Sequence, residues 1–436
     1  MQTLEQLQSG QLAGCTSIKL ACGLTQFPQE LVDLADTLEL LDLSGNQLPS
    51  LPPYFGKFTK LKIAFFSDNL FTEYPEVLAQ CPLLEMVGFK ANMISSISEK
   101  AISKNIRWLI LTNNRITQLP KSIGNCTRLQ KVALAGNQLT SLPIEMAQCK
   151  NLELLRISAN CMNELPAWLM TMPKLSWLAY SDNPCSINQK NNFELNEISW
   201  HQFELKEKLG EGASGIISKA LWMNNTKCLD VAVKVFKGEV TSDGLPLSEM
   251  NSCVASTGHK NLVKLLGKIK DHPQHKEGLV FELIPPEFKN LGNPPSYVTC
   301  TRDTYPNDTT FTLNDLMQIV IDTTSVSAHL HGKGIMHGDL YAHNIMINKD
   351  ATILLGDFGA ATIYDKNTEH AESLEKMDVR AFGCLLEDLL ERLHLDFITH
   401  PSITILAQLK EECLHNTVLK RPYFIELYET LKGISI

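Results

Sequence analysis

The chain has 436 residues, 44% of them hydrophobic and 20% charged, which excludes wholesale disorder and, at ~100 to 200 residues per domain, predicts two or three domains. The net charge of −9 is uneven: the first 200 residues are near neutral (16 Lys and Arg against 17 Asp and Glu), whereas the remainder holds 23 against 31. Neither part has the basic excess that a phosphate backbone or an anionic lipid surface demands, so nucleic acid and membrane are excluded as main partners.

Met1 to Gly14 is polar with scattered leucines and lacks a charged start followed by an apolar run, so no secretory signal is expected. No stretch reaches the ~20 apolar residues that would span a bilayer, and a cytoplasmic address follows as the expectation.

A pattern then recurs with first positions Leu38, Leu61, Leu84, Ile106, Leu129, Leu152 and Leu175. Its frame, LxxLxLxxNxLxxLP, stands out in Leu38, Leu41, Leu43, Asn46, Leu48, Leu51 and Pro52, and again in Leu129, Val132, Leu134, Asn137, Leu139, Leu142 and Pro143. The asparagines fall at 46, 69, 92, 114, 137, 160 and 183, every step being 22 or 23 residues. Alternating Leu41 and Leu43 turn one face of a short strand inward, and Asn46 is expected to bond the backbone of the turn that follows. Each rung buries its leucines only against the next, so the asparagines stack into a ladder. A shortened first unit, Ile18, Leu20, Leu24, Phe27 and Pro28, caps the amino end.

Over roughly residues 15 to 186 this frame resembles the leucine-rich-repeat family, which implies an α/β solenoid over residues 1–186. The solvent-facing strand positions would line its concave face, the usual binding surface of such solenoids. Among them Phe65, Trp108 and Trp177 are the aromatic candidates for contact with a protein substrate or regulator. The twelve cysteines include no CxxC pair. Cys81, Cys126 and Cys149 each precede a repeat's first leucine by three residues and are expected as small buried fillers.

Residues 187–202 lose the frame, and the polar run SINQKNNFELNEIS predicts a linker. Beyond Trp200 the texture becomes strand-like. Gly210, Gly212 and Gly215 form GxGxxG, and Ile217 completes GxGxxGxV with a residue of similar size. A dinucleotide fold has the same glycine spacing ahead of a helix, but here β-branched residues follow, then a second strand containing Lys234. That context predicts a strand-turn-strand flap over nucleotide phosphates, with Glu211, Ala213 and Ser214 completing the turn.

With VAVK at Val231 to Lys234, HGDLYAHN at 337–344 and DFG at 357–359, the second part resembles the protein-kinase family over about residues 203 to 432. The resemblance implies an α+β two-lobed protein-kinase-like fold over 203–436, binding ATP and Mg²⁺. Lys234 would hold the α and β phosphates and Glu249, on a predicted helix, would orient it. Asp339 would accept the substrate hydroxyl proton, and Asn344 and Asp357 would ligate magnesium. Ile217 and Ala232 would border the nucleotide, Phe281 would gate the adenine pocket, and Glu282 and Leu283 would form the hinge. Asp378 takes the position that bonds the catalytic loop, and Arg421 belongs to the closing RP element.

The departures from the family pattern matter as much. Gly338 stands where many protein kinases have arginine, which removes the usual cation for clamping a phosphorylated loop. Only 21 positions separate Asp357 from Asp378, and no APE motif lies between them. Arg421 therefore lacks its usual glutamate, for which Glu372 or Glu375 could substitute. Tyr341 and His343 either assist the γ-phosphate or pack the loop, and the long Pro- and Asn-rich segment 285–310 lies between hinge and next helix.

Three functions are compatible with these residues. The first is an ATP-dependent protein kinase of serine/threonine type directed by the solenoid, in a domain order that resembles bacterial or plant leucine-rich-repeat kinases without their membrane span. The second is a small-molecule phosphotransferase of the antibiotic-kinase type, which also has HGD and no APE. The third is an ATP-binding pseudokinase scaffold.

Overall fold

The computed structural model describes residues 2–187, 195–212, 214–224, 227–237 and 240–434. It divides into two compact units, one of 1–172 with 183–185, the other of 173–182 with 186–436.

The first unit opens with α1 (Leu4–Gln8), started by a capping box between Thr3 and Gln6. Seven short strands follow: β1 (Ser17–Lys19), β2 (Leu40–Asp42), β3 (Ile63–Phe65), β4 (Met86–Gly88), β5 (Trp108–Ile110), β6 (Lys131–Ala133) and β7 (Leu154–Arg156). They pair in parallel, in chain order and without a register shift, so that Leu41, Ala64, Val87, Leu109, Val132 and Leu155 form one continuous buried row. The proline ending five of the frames introduces a 3₁₀ turn at Pro53–Lys57, Glu76–Gln80, Lys121–Asn125, Ile144–Gln148 and Ala167–Thr171. Its locked φ, and the N–H it lacks, suit the residue ahead of such a turn.

The asparagine ladder is present, but it points backward along the chain rather than into the following turn. Asn137 donates to Leu111 O of the previous repeat (2.9 Å) and to Leu134 O of its own (2.9 Å), while its carbonyl accepts from Ile116 N (3.0 Å). Asn46 treats Leu20, Cys22 and Leu24 in the same way. Each buried amide thereby satisfies backbone groups that a parallel stack of three-residue strands leaves open. Cys81, Cys126 and Cys149 are buried free thiols, and burial pushes them up to about 12, about 11 and about 12.

In the second unit β8 (Trp177–Ala179) comes first. A six-stranded sheet then contains β9 (Glu197–Ser199), β10 (Phe203–Glu211), β11 (Gly215–Asn224), β12 (Lys227–Phe236), β13 (Leu265–Lys270) and β14 (Gly278–Glu282), in the order β10-β11-β12-β14-β13-β9. Within 187–202, expected as a linker, residues 188–194 lie outside the described residues, while β9 joins the sheet edge and buries Ile198 among Val231, Val233 and Val280. The helix α2 (Pro246–Ser256) packs Met250 and Val254 on Phe236 and Leu279. The remaining helices are α3 (Leu313–Gly332), α4 (Ala371–Glu391), α5 (Pro401–Cys413) and α6 (Phe424–Lys432). Among the described residues no helix is long and apolar enough to cross a membrane.

Candidate active site

Strands β10, β11 and β12 form an antiparallel meander, and the glycine turn is the connection between its first two members. Gly212 N donates to Gly215 O (3.0 Å), closing the turn. Gly215 has a steric reason to lack a side chain, since a Cβ there would lie 2.7 Å from Val235 O on β12. Glu211 is engaged with Lys237 (2.7 Å) and Lys208 (3.0 Å), two ammonium partners that hold its carboxyl well below the usual range. Ala213 lies outside the described residues.

Register places Lys234 opposite Ile217 on one side and Leu279 on the other, with Ala232 opposite Phe281. Phe281 packs against the cluster of Phe236, Met250, Val254 and Leu279, and the backbone of Glu282 donates to Lys264 O (2.9 Å) just before Leu283. Lys234 forms a salt bridge with Glu249 of α2, whose side chain is 2% exposed. Burial would depress the lysine, but the charges of Glu249 and Asp357 outweigh it and raise its affinity for the proton. Burial also pushes Glu249 up, with Asp357 adding to the effect and Lys234 opposing it.

The HGD loop hangs on a buried carboxylate. Asp378 of α4 accepts from His337 N (2.7 Å), Gly338 N (3.1 Å) and His331 Nε2 (3.0 Å). His337 in turn bonds Gly356 O (3.0 Å) and packs on Phe358 at 5.3 Å, tying the loop to the segment around Asp357. Asn344 donates to both the carboxylate (2.7 Å) and the carbonyl (2.9 Å) of Asp339. With its nitrogen committed in this way, the amide presents its oxygen as the acceptor available to a cation. Asp357 adopts φ +52°, and its Oδ1 accepts from Gly359 N (3.1 Å).

Among the described residues no group of three or more His, Cys, Asp or Glu could hold a metal alone. One carboxylate and one amide oxygen would instead suit a divalent cation that completes its ligand set with other oxygens. Lys234, Glu249 and Asp357 are thus linked by contact or charge and Asp339 to Asn344 by hydrogen bonds, while Gly356 N, next to Asp357, donates to Asn344 O (3.0 Å).

Several expectations need correction. Among the described residues Arg421 finds no carboxylate: it is 1% exposed and donates to the carbonyls of His415 (2.9 Å), Lys376 (2.9 Å) and Pro173 (2.8 Å). Burial and the like charge of Arg380 lower it to about 9. Glu372 pairs instead with Lys376 (2.9 Å), and Glu375 accepts from Phe424 N (2.9 Å). Trp177 is not an open concave-face aromatic, because it is 1% exposed inside the second unit and stacked on Tyr341. Of the other two, Phe65 lies across Gly88 of the next repeat, and Trp108 carries Lys131 over its ring at 4.3 Å.

Asp303 was invisible to pattern reading. It lies in the long segment after the hinge and accepts from both His343 N (3.1 Å) and His343 Nδ1 (2.7 Å). Burial alone would lower His343, but the bond to Asp303 and the charges of Asp339 and Asp357 raise it. Next to it Arg302 bonds Glu387 (2.7 Å) and Asp388 (2.5 Å) of α4. Only the length of the segment hinted that it had a task.

Residues 203–392 match the family model described as protein tyrosine and serine/threonine kinase, and 37–58, 105–126 and 127–184 match leucine-rich-repeat models. Leucine-rich repeats are followed here by a protein kinase domain. A probable serine/threonine-protein kinase of Dictyostelium discoideum is 25% identical over 279 residues, covering 55% of this chain and 16% of that protein. Fibroblast growth factor receptor 1 of Xenopus laevis is 24% identical over 294 residues, 55% of this chain and 35% of that one. The chain thus spans well under half the length of these relatives. A leucine-rich-repeat protein of Leptospira interrogans with a solved structure is 26% identical, with a TM-score of 0.38 over 41% of this chain and 46% of that one.

Proposed function

We propose that the chain is an ATP- and Mg²⁺-dependent protein kinase that phosphorylates serine or threonine hydroxyls, with the repeats recruiting its substrate or regulator. The observation that carries this is the bond from Asn344 to the Asp339 carboxylate, because it links a metal-ligand candidate to a base candidate in one loop. Asn344 and Asp357 would hold the magnesium, which supplies charge neutralisation of the phosphates when bound. Lys234, kept protonated by two carboxylates, would orient the α and β phosphates. Asp339 would accept the hydroxyl proton as the hydroxyl oxygen bonds to the γ-phosphorus and the β–γ bridging bond breaks, leaving ADP.

Serine/threonine specificity draws support from the Dictyostelium relative, and the twelve free cysteines suit the reducing cytoplasm. The experiment is transfer from labelled ATP to a generic protein with and without magnesium, beside Asp339→Ala, followed by phosphoamino-acid analysis. Label on serine or threonine that disappears in the variant supports the proposal. Label found only in small solutes indicates a small-molecule phosphotransferase, nucleotide binding without transfer indicates a scaffold, and phosphotyrosine overturns the specificity.

A further inference from the structure

The compact unit that contains the kinase motifs also includes Pro173–Asp182, from the last leucine-rich repeat. The ten residues from Pro173 to Asp182 touch most of the parts that hold a kinase site together. Trp177 lies flat on Tyr341, with ring centroids 4.3 Å apart and planes 7° from parallel, and its Nε1 donates to Leu340 O (3.2 Å). One residue on, Leu178 O approaches Gly338. That glycine has φ +69°, and a Cβ on it would stand 2.4 Å from this oxygen and 2.9 Å from Ala360 O. Of the two neighbours of Asp339 in sequence, Leu340 is therefore hydrogen-bonded to this short strand and Gly338 lies closely against it.

The remaining contacts extend the pattern. Tyr180 N donates to Thr362 Oγ1 (3.4 Å), just beyond the DFG sequence, and Asp182 accepts from Ser248 Oγ (2.5 Å), the residue before Glu249. Two buried guanidiniums also take acceptors from these ten residues: Arg380 donates to Ser176 Oγ (2.7 Å), and Arg421 to Pro173 O (2.8 Å). Taking an acceptor from a buried cation is destabilising, so these bonds contribute to stability around α4. Asp357 and Asp378 lie 21 positions apart with no APE motif between them, so the activation segment there, the usual peptide-docking platform of protein kinases, is short.

We propose that Pro173–Asp182 replaces the missing platform of the activation segment and that Trp177 is a positioning residue for phosphoryl transfer, acting through Leu340 and Tyr341 on Asp339. The inference rests on the kinase reading above and goes beyond it in assigning a catalytic task to part of a repeat. A base displaced by about 1 Å costs on the order of a hundredfold in rate, so losing the stacked indole lowers kcat while the nucleotide pocket, built by β10 to β12 and α2, persists.

The test uses the full chain with Trp177→Ala, Trp177→Phe and Ser176→Ala. In Trp177→Ala, kcat is expected to fall about tenfold or more with the ATP KM changed by less than about twofold, a loss of transition-state rather than ground-state binding. Trp177→Phe, which keeps an aromatic face for Tyr341, is expected to recover most of the rate. Amide exchange over residues 337–345 should accelerate in Trp177→Ala and stay unchanged over 203–236. Wild-type kcat and wild-type exchange in Trp177→Ala overturn the proposal. So does an equal loss of rate and ATP binding in all three variants, which would make the strand a support for stability alone. Should the wild type transfer no phosphate, the kinase reading fails, and exchange over 337–345 still decides whether this strand holds the loop.

Discussion

Asn344 spans the catalytic loop to Asp339, donating at 2.7 Å to the carboxylate and at 2.9 Å to the carbonyl of the same residue. One amide thus sets both the rotamer of the base candidate and the direction of its own oxygen, which would face the metal.

Asp339→Asn removes the proton acceptor and keeps a side-chain oxygen for Asn344 to bond. Transfer is expected to fall by about 10²–10⁴ with nucleotide affinity and melting temperature close to wild type. Single-turnover rates and calorimetric ATP titration check it, and a variant with near wild-type turnover would remove Asp339 from the mechanism.

Lys234→Met is expected to lose transfer by orders of magnitude and to acquire a distinctive pH dependence. Burial already pushes Glu249 above its ordinary 4.5, and the variant deletes the ammonium that opposes the shift. A carboxyl raised in the folded state binds its proton more tightly there than in the unfolded chain, so its stabilisation is present at low pH and lost as pH rises through the folded value. Melting temperature of the variant should therefore rise, relative to wild type, between neutral pH and about pH 5. Adding Glu249→Gln should flatten that difference, and a difference independent of pH in Lys234→Met would contradict the assigned pairing.

Asn137→Ala strands Ile116 N in a buried rung and deletes bonds to Leu111 O and Leu134 O, which keep Asn114 and Asn160 as donors. An orphaned buried backbone group costs about 1–3 kcal/mol, so a loss of about that size is expected in urea unfolding followed by exchange within residues 106–160. An unchanged midpoint would contradict the ladder.

Thiol accessibility separates the rungs from the surface. Cys81, Cys126 and Cys149, pushed to about 11 or 12 by burial, should resist maleimide at pH 8, whereas exposed Cys22, Cys161 and Cys228 should label. Peptide mapping after brief labelling reads this directly. Labelling of the rung cysteines in folded protein would show that the repeats open.

Much of the fold is legible in the chain because its determinants are local and repeated. A leucine every two or three positions and an asparagine every 22 or 23 specify the strand, its inward face and the stacking direction before any distant contact is considered. What this logic misjudged was the partner of Asn46, which is the previous rung and not its own following turn. Periodicity shows that an amide is needed, and three-dimensional stacking selects the carbonyl it meets.

In the kinase part, VAVK, HGD, Asn344 and DFG announce themselves because phosphate and metal chemistry restricts each to few residue types. The supports of the site do not, since any acceptor satisfies a guanidinium and any flat ring stacks on tyrosine. Arg421 takes Pro173 O across 248 positions and Trp177 reaches Leu340 across 163, contacts that no local pattern encodes. Composition and spacing by themselves determined the repeats and the identities of the groups that would move phosphate. Only tertiary packing decided that a repeat strand steadies them, because a buried cation and a loop short of its platform accept whatever the folded chain brings within reach.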